Sequence, residues 1–399
     1  MKIIQRSKYL DALIRVIGTP DIKVITGIRR CGKSKLMEAF IEWLHREKPE
    51  TNVVHINFNL TSFEGLLDYH ALEDYARKTL KAGVDNLLLI DEVQNCTGFE
   101  RAINSLHASG EYDIYITGSN AFLLSSDLAT LFTGRTYEIP VFPFSFKEFL
   151  LYYELENVQA ALDRFVLEGG MPGSYLYSSK VDKFSYIADV FRTLIIRDIR
   201  QKYHIRNLSV FEALTDFMMD NVSNISSIRN ISSAVSAGTT KTNDKTIGAY
   251  ISFLCNAFAF YRVRKYDIRG RRYLSSQDKY YLADHAFRYA RLGTKNMDYG
   301  RVLENIVAME FIRRGYELYT GSLYDKEIDF VALRRGEKLY VQVCEDISSP
   351  KTFIRETAPL LRVKDAYPKI LIARTRHDEY GYEGIRIIDA ADWLLQDDD

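Results

Sequence analysis

The first third of the chain alternates two rhythms of apolar residues. Short runs at Lys23-Val24-Ile25-Thr26, Val53-Val54-His55-Ile56-Asn57-Phe58, Leu87-Leu88-Leu89-Ile90 and Asp113-Ile114-Tyr115-Ile116-Thr117 read as strands. The unbroken run at 87–90 is what a strand buried on both faces of a parallel sheet needs. After the first run, Leu36, Met37, Phe40, Ile41 and Leu44 recur at helical spacing, with Lys35, Glu38 and Glu42 between them. This alternation predicts an α/β domain with a parallel sheet over residues 1–144.

From 145 to 205 the pattern turns helical. Phe146, Phe149, Leu150 and Tyr153 share a face, and Gly169-Gly170-Met171-Pro172-Gly173 makes a bend, so this stretch reads as a lid or linker. Over 206–292 the spacing predicts helices at 210–219 and 228–234. A third carries Thr246, Ile247, Tyr250, Ile251, Leu254 and Phe258 behind Asn243 or Asp244 as cap. A hairpin follows, with strands at 260–267 and 271–274 and its turn at Arg269-Gly270. Residues 293–399 open on a helix at 301–314 and continue with strands at 327–332 and 338–344. The acids Asp389, Asp392 and Asp397 to Asp399 read as a frayed tail.

The joint between the first strand and its helix carries the strongest chemistry. Gly27-Ile28-Arg29-Arg30-Cys31-Gly32-Lys33-Ser34 fits G-x-x-x-x-G-K-[ST], the phosphate-binding loop or Walker A pattern. Two glycines let the backbone curl so that successive N–H groups face phosphate oxygens. Lys33 supplies charge to the β- and γ-phosphates, Ser34 offers a hydroxyl to Mg²⁺, and the helix adds its positive end. The residues expected to hold ATP are therefore Gly27, Ile28, Arg29, Arg30, Cys31, Gly32, Lys33, Ser34 and Lys35. Arg29 and Arg30 have three possible partners: phosphate, a neighbouring carboxylate or a second subunit. The apolar run at 87–90 ends in Asp91-Glu92, a Walker B pattern in which Asp91 holds Mg²⁺ and Glu92 polarises the attacking water. After the strand at 113–117, Gly118-Ser119-Asn120 is turn chemistry or a water-orienting group, Asn120 ahead of Ser119. Arg135 is either a finger for the γ-phosphate, in its own chain or across a subunit interface, or an ordinary surface arginine.

These motifs resemble a family of bacterial and archaeal AAA-type P-loop ATPases with a C-terminal domain of unknown function. Gly-x-Arg-Arg-x-Gly-Lys-Ser, Ile90-Asp91-Glu92-Val93-Gln94, Thr117-Gly118-Ser119-Asn120 and Phe132-Thr133-Gly134-Arg135 leading to Phe142-Pro143-Phe144-Ser145-Phe146-Lys147-Glu148-Phe149 carry the likeness. It continues through Gly169-Gly170-Met171-Pro172-Gly173, Arg197-Asp198-Ile199 and Lys279-Tyr280-Tyr281-Leu282-Ala283-Asp284. The resemblance implies an ATPase core of the subclass whose catalytic glutamate stands beside the Mg²⁺ aspartate, as Asp91-Glu92 do.

With 53 basic and 53 acidic residues the net charge is zero, so any nucleic-acid footprint has to be local. The hairpin concentrates Arg262, Arg264, Lys265, Arg269, Arg271 and Arg272 against the single acid Asp267. Three helices and a two-stranded wing make a winged-helix arrangement, whose basic tip suits double-stranded DNA or else protein contacts. The helix, strand, hairpin, strand order after 293 resembles the restriction-endonuclease-like fold. Glu304 and Asp329 match its acidic positions, but the acid-x-Lys triplet reads Gln342-Val343-Cys344. Both acid and lysine are missing from that triplet, so the domain reads as a nuclease relic that binds or scaffolds, unless Glu345 or Lys338 substitutes.

Cys31, Cys96, Cys255 and Cys344 have no metal-ligand spacing, which excludes a zinc or disulfide framework and fits a reducing compartment. Cys31 sits where helix N-termini lower thiol pKa values, although an inert thiol is the plainer reading. No stretch has 18 apolar residues and Met1 to Arg6 lacks a signal peptide's apolar core, so a cytoplasmic protein without a membrane contact is expected. The reading is an Mg²⁺-dependent ATPase that moves C-terminal DNA- or protein-binding domains and is able to oligomerise. The alternatives are a nucleotide-gated switch with slow turnover and a DNA-processing protein with residual nuclease activity.

Overall fold

The computed structural model describes residues 4–118, 131–132, 134–270, 272–294 and 298–396, of which 195–197 and 272–276 by backbone alone. The chain forms two compact units, one of Met1–Pro143 with Thr193–Lys202, the other of Phe144–Arg192 with Tyr203–Asp399. Among the described residues no helix is long and apolar enough to cross a membrane.

The first unit is a mixed α/β layer structure around a five-stranded sheet. Its strands are β1 (Ile22–Thr26), β2 (Asn52–Asn57), β3 (Asn86–Asp91), β4 (Asp113–Thr117) and β5 (Thr136–Pro140), in the order β2-β3-β4-β1-β5. Every pairing is parallel. Helices α1 (Ser7–Arg15), α2 (Lys33–Glu47), α3 (Tyr69–Thr79) and α4 (Phe99–Ser109) accompany it. β1 is buried at all five positions and β3 at all but its first, so the apolar runs reflect helices on both faces. In α2 the expected face, Leu36, Met37, Phe40 and Leu44, is buried. Ile22, Val24, Leu88, Ile90, Ile114 and Ile116 form the core with Ala102, Ile103 and Leu106 of α4.

The second unit starts with α5 (Phe146–Tyr153), α6 (Val158–Glu168) and α7 (Lys180–Thr193). Ser145 and Glu148 form a reciprocal capping box that starts α5. Phe146, Phe149, Phe165, Tyr153 and Tyr175 then pack edge to face or tilted. Next come α8 (Leu208–Asp220), α9 (Ile228–Gly238) and α10 (Asp244–Asn256), the last capped by Asn243. β6 (Phe260–Asp267), β7 (Arg272–Leu282), α11 (Ala286–Leu292) and α12 (Tyr299–Arg313) follow. The chain ends with β8 (Glu317–Leu323), β9 (Lys326–Arg334), β10 (Glu337–Cys344), α13 (Pro350–Leu361), β11 (Lys369–Ala373), β12 (Tyr380–Tyr382), β13 (Ile385–Asp389) and α14 (Ala390–Leu395).

Two features depart from the sequence expectations. The hairpin β6–β7 is not a free wing: β6 pairs in parallel with β8, so one eight-stranded sheet runs β12-β13-β11-β10-β9-β8-β6-β7. Ile268 at the hairpin end is buried against Ile328 and Val331, and Gly321 makes room for it. A Cβ there would lie 2.9 Å from the Ile268 Cδ1. Apolar burial thus fastens the hairpin to the sheet. The acidic end is not a frayed tail at Asp389 either. That carboxylate is buried, accepts the Ala391 N–H as the cap of α14, and accepts the Gln159 amide at 2.8 Å. Asp397 to Asp399 lie outside the described residues.

The resemblance motifs meet inside their units. Asp284, directly after the Lys279-to-Ala283 run, accepts the Gly170 N–H at 2.6 Å and the Ala286 N–H at 2.9 Å. A Cβ on Gly170 would sit 2.3 Å from the Phe144 carbonyl oxygen, which is why the bend needs glycine there.

Candidate nucleotide site

The phosphate loop leaves β1 at Thr26 and ends in the first turn of α2. Gly27 has φ +137°, and a Cβ on it would lie 2.0 Å from the Val141 carbonyl oxygen, so only glycine lets the loop pass. Gly32 has φ +106° and Arg30 φ 65°, so with Gly27 the loop takes positive φ at three positions. Lys33 is buried and donates to the carbonyls of Gly27 at 2.8 Å and Ile28 at 3.3 Å. Its charge therefore lies at the centre of the loop's curve with no carboxylate partner among the described residues. Ser34 opens α2 half-buried, and Lys35 points outward to pair with Glu38 at 2.5 Å.

Cys31 is fully buried and its Sγ donates to the Val141 carbonyl at 3.2 Å, as an inert thiol would. Arg29 finds a carboxylate: its guanidinium reaches Asp198 at 3.2 and 3.3 Å. Asp198 is buried on a π-helical turn, Leu194–Ile199, within the segment that returns to the first unit. Such turns are uncommon and gather at functional positions. Arg30 is exposed.

Asp91 closes β3 in a buried position, and its Oδ1 accepts the Thr117 hydroxyl. Thr117 ends β4, accepts the Glu92 N–H on the same hydroxyl at 3.2 Å, and stands opposite Ile25 of β1. One hydroxyl therefore fixes both acidic residues one strand away from the start of the phosphate loop. Glu92 holds φ 58°, an unfavourable conformation for a non-glycine residue, and its Oε2 accepts the Gln94 amide at 2.5 Å. Burial lowers the His55 pKa against the pull of Asp91 and Glu38, which fits a packed residue.

Arg135 lies elsewhere. It is exposed and its carbonyl accepts the Ile22 N–H, at the end of β1 remote from the loop. The four-residue rise of β1 spans about 13 Å. That geometry disfavours a finger onto this chain's own loop. Ser119 and Asn120 lie outside the described residues.

Sequence reasoning passed over Arg6 and Thr117. Arg6, buried before α1, donates to the carbonyls of Cys31 at 3.0 Å and Phe142 at 2.9 Å, bracing the loop from behind. A single arginine before a helix gives no signal, whereas a hydroxyl residue ending a strand beside Asp-Glu is one that could have been weighed.

In the second unit the hairpin cations are only partly available. Arg262 is committed to Asp278, with Nε–Oδ2 at 2.7 Å, so it is a structural ion pair and not a free phosphate contact. Arg264 and Arg269 are exposed, Arg269 over the Tyr324 ring at 5.3 Å, and Lys265 is half-buried within the sheet. Arg271 and the Arg272 side chain lie outside the described residues. Glu304 of α12, Asp329 of β9 and Gln342 of β10 come together: Gln342 Oε1 accepts the Asp329 N–H at 3.3 Å, and Lys279 of β7 bonds both acids. Glu345 and Lys338 do not substitute for the missing pair. Glu345 sees Arg374, and Lys338 pairs with Asp365.

Residues 19–150 match the AAA domain family, and residues 159–298 match a domain of unknown function, DUF8612. The chain is 36% identical to an uncharacterized protein of Haemophilus influenzae over 99% of both chains. It is 25% identical to an uncharacterized protein of Methanocaldococcus jannaschii, over 98% of this chain and 90% of that one. The Walker-type ATPase of Pyrococcus abyssi shares the fold at TM-score 0.50 and 16% identity, over 72% of this chain and 95% of that one. The chain has a nucleotide-binding, AAA-type P-loop ATPase fold. It belongs to the family of the Haemophilus influenzae protein, and in this chain an AAA domain precedes a domain of unknown function.

Proposed function

We propose that the first unit binds and hydrolyses ATP with Mg²⁺ and that the cycle acts on the second unit. The observation that carries this reading is the Thr117 hydroxyl, which joins Asp91 and Glu92 beside the phosphate loop. The donor set fits Mg²⁺: Ser34 and Asp91 offer the hard oxygens it prefers, and Thr117 orients Asp91. Bound there, the ion would neutralise charge on the β- and γ-phosphate oxygens. Loop N–H groups between Ile28 and Ser34 cradle the phosphates, and Lys33 turns from two neutral carbonyls to the γ-phosphate. Glu92, oriented by Gln94, accepts the proton of the attacking water. Arg135 serves as a finger only from a second copy.

Coupling runs through Arg29. Phosphate draws its guanidinium away from Asp198, and residues 193–202 lead directly into α7 on one side and Tyr203 on the other. Glu92→Gln should leave ATP affinity in place and lower turnover by roughly 10²- to 10⁴-fold; undiminished turnover removes Glu92 from the role. A switch with slow turnover is the second reading, favoured by the Arg29–Asp198 contact. It predicts partner affinity that differs between ATP and ADP. The exposed Arg264 and Arg269 support a narrower DNA reading, tested by salt-dependent duplex binding that weakens in the double alanine variant.

A further inference from the structure

The restriction-endonuclease-like arrangement implies a divalent cation between Glu304 and Asp329, and the residues present do not fit one. The Lys279 ammonium comes from β7 into the gap, 2.9 Å from Glu304 Oε1, 3.3 Å from Asp329 Oδ1 and 2.7 Å from Glu327 Oε1. The ammonium donates to Glu304 and Asp329, and Glu327 adds a third carboxylate as an ion pair. The acceptors are further occupied: Tyr281 donates to Glu304 Oε1 at 2.7 Å, and the Val343 N–H to Asp329 Oδ2 at 2.9 Å. Gln342, at the triplet's acid position, gives its amide to Glu356 at 2.9 Å. Lys279 is 2% exposed, Glu304 9% and Asp329 8%, so their mutual contacts are shielded from bulk water, with Glu327 exposed at the rim.

We propose that the Lys279 ammonium stands in for the divalent cation, making this a cation site filled from within the chain, without hydrolytic metal chemistry. The lysine missing from the triplet is thereby supplied by the hairpin, 50 residues before Asp329. Its charge also ties β7 to α12 and β9. Burial alone would favour neutral Lys279; Glu304, Tyr281, Asp329 and Glu327 outweigh it and hold its pKa well above the ordinary value.

The test is Mn²⁺ binding to the nucleotide-free full chain, followed by the resonance of free Mn²⁺. Wild type and Glu304→Gln should titrate identically. Lys279→Met should gain one Mn²⁺ site, with at least about tenfold tighter uptake than wild type, and the Lys279→Met/Glu304→Gln double variant should lose it. Wild-type binding that Glu304→Gln abolishes overturns the proposal, as does a folded Lys279→Met chain that takes up no Mn²⁺. If Lys279→Met does not fold, the comparison of wild type with Glu304→Gln decides, together with plasmid nicking in Mn²⁺. Nicking by wild type that disappears in Asp329→Ala overturns the proposal; no nicking and equal titrations support it.

Discussion

Among the described residues each unit buries two lysines, Lys23 and Lys33 in the first and Lys183 and Lys279 in the second, and Lys33 and Lys279 are in opposite electrical situations. Lys33 rests on two neutral carbonyls, whereas Lys279 rests on three carboxylates. A cation held by neutral dipoles keeps its charge for an incoming anion; one enclosed by acids has spent it. The same side chain thus makes a site in one unit and a lock in the other, and the difference lies in the counter-charge alone.

The largest effect is expected on the lock. Lys279→Met leaves buried acids without their cation and should cost about 3–5 kcal/mol of stability in denaturant unfolding, partly restored by adding Glu304→Gln. Equal stability of Lys279→Met and wild type would erase the contrast. Lys33→Ala should leave the fold intact and weaken ATP binding by about 2–5 kcal/mol in calorimetry. Unchanged affinity would mean that the loop's charge is not what holds phosphate.

The lock also has a pH signature. Burial pushes the Glu304 carboxyl up to about 7, against the pull of Lys279. A carboxyl raised on folding stabilises below its unfolded value, about 4.3, and loses that contribution as pH rises through 7. Wild-type stability should therefore fall over that window by roughly 3–4 kcal/mol relative to Glu304→Gln. A slope shared by both proteins would assign the titration elsewhere. The smallest effect concerns Arg29 and Asp198. Arg29 is partly exposed, so a double-mutant cycle should give a coupling of about 1 kcal/mol or less without nucleotide. ATP should abolish it; a coupling that survives ATP would sink the proposed link to the second unit.

The phosphate loop and Asp91-Glu92 were legible because their chemistry is local: glycine, lysine and acid positions are set by a few neighbouring residues. The three helices before the hairpin were equally readable from spacing and from Asn243. What escaped depends on distant pairing. The hairpin read as a free wing because the partner of Arg264 in the sheet is Tyr319, 55 positions on, and no local pattern announces it. Glu304, Asp329 and Gln342 were found, but Lys279 lies in a neighbouring strand beyond any triplet rule. Arg262 counted as a free cation, but it reaches diagonally across the hairpin to Asp278. Asp389 read as tail charge because a terminal run of acids usually frays; here it caps a short helix beneath Trp393 and Leu394, which are buried.

The most direct measurement is ATP binding and single-turnover hydrolysis on the same samples of wild type and Glu92→Gln. The account predicts matched affinities, with hydrolysis slowed by roughly two to four orders of magnitude in the variant. Hydrolysis at the wild-type rate in Glu92→Gln, or no ATP binding by the wild-type chain, would contradict it.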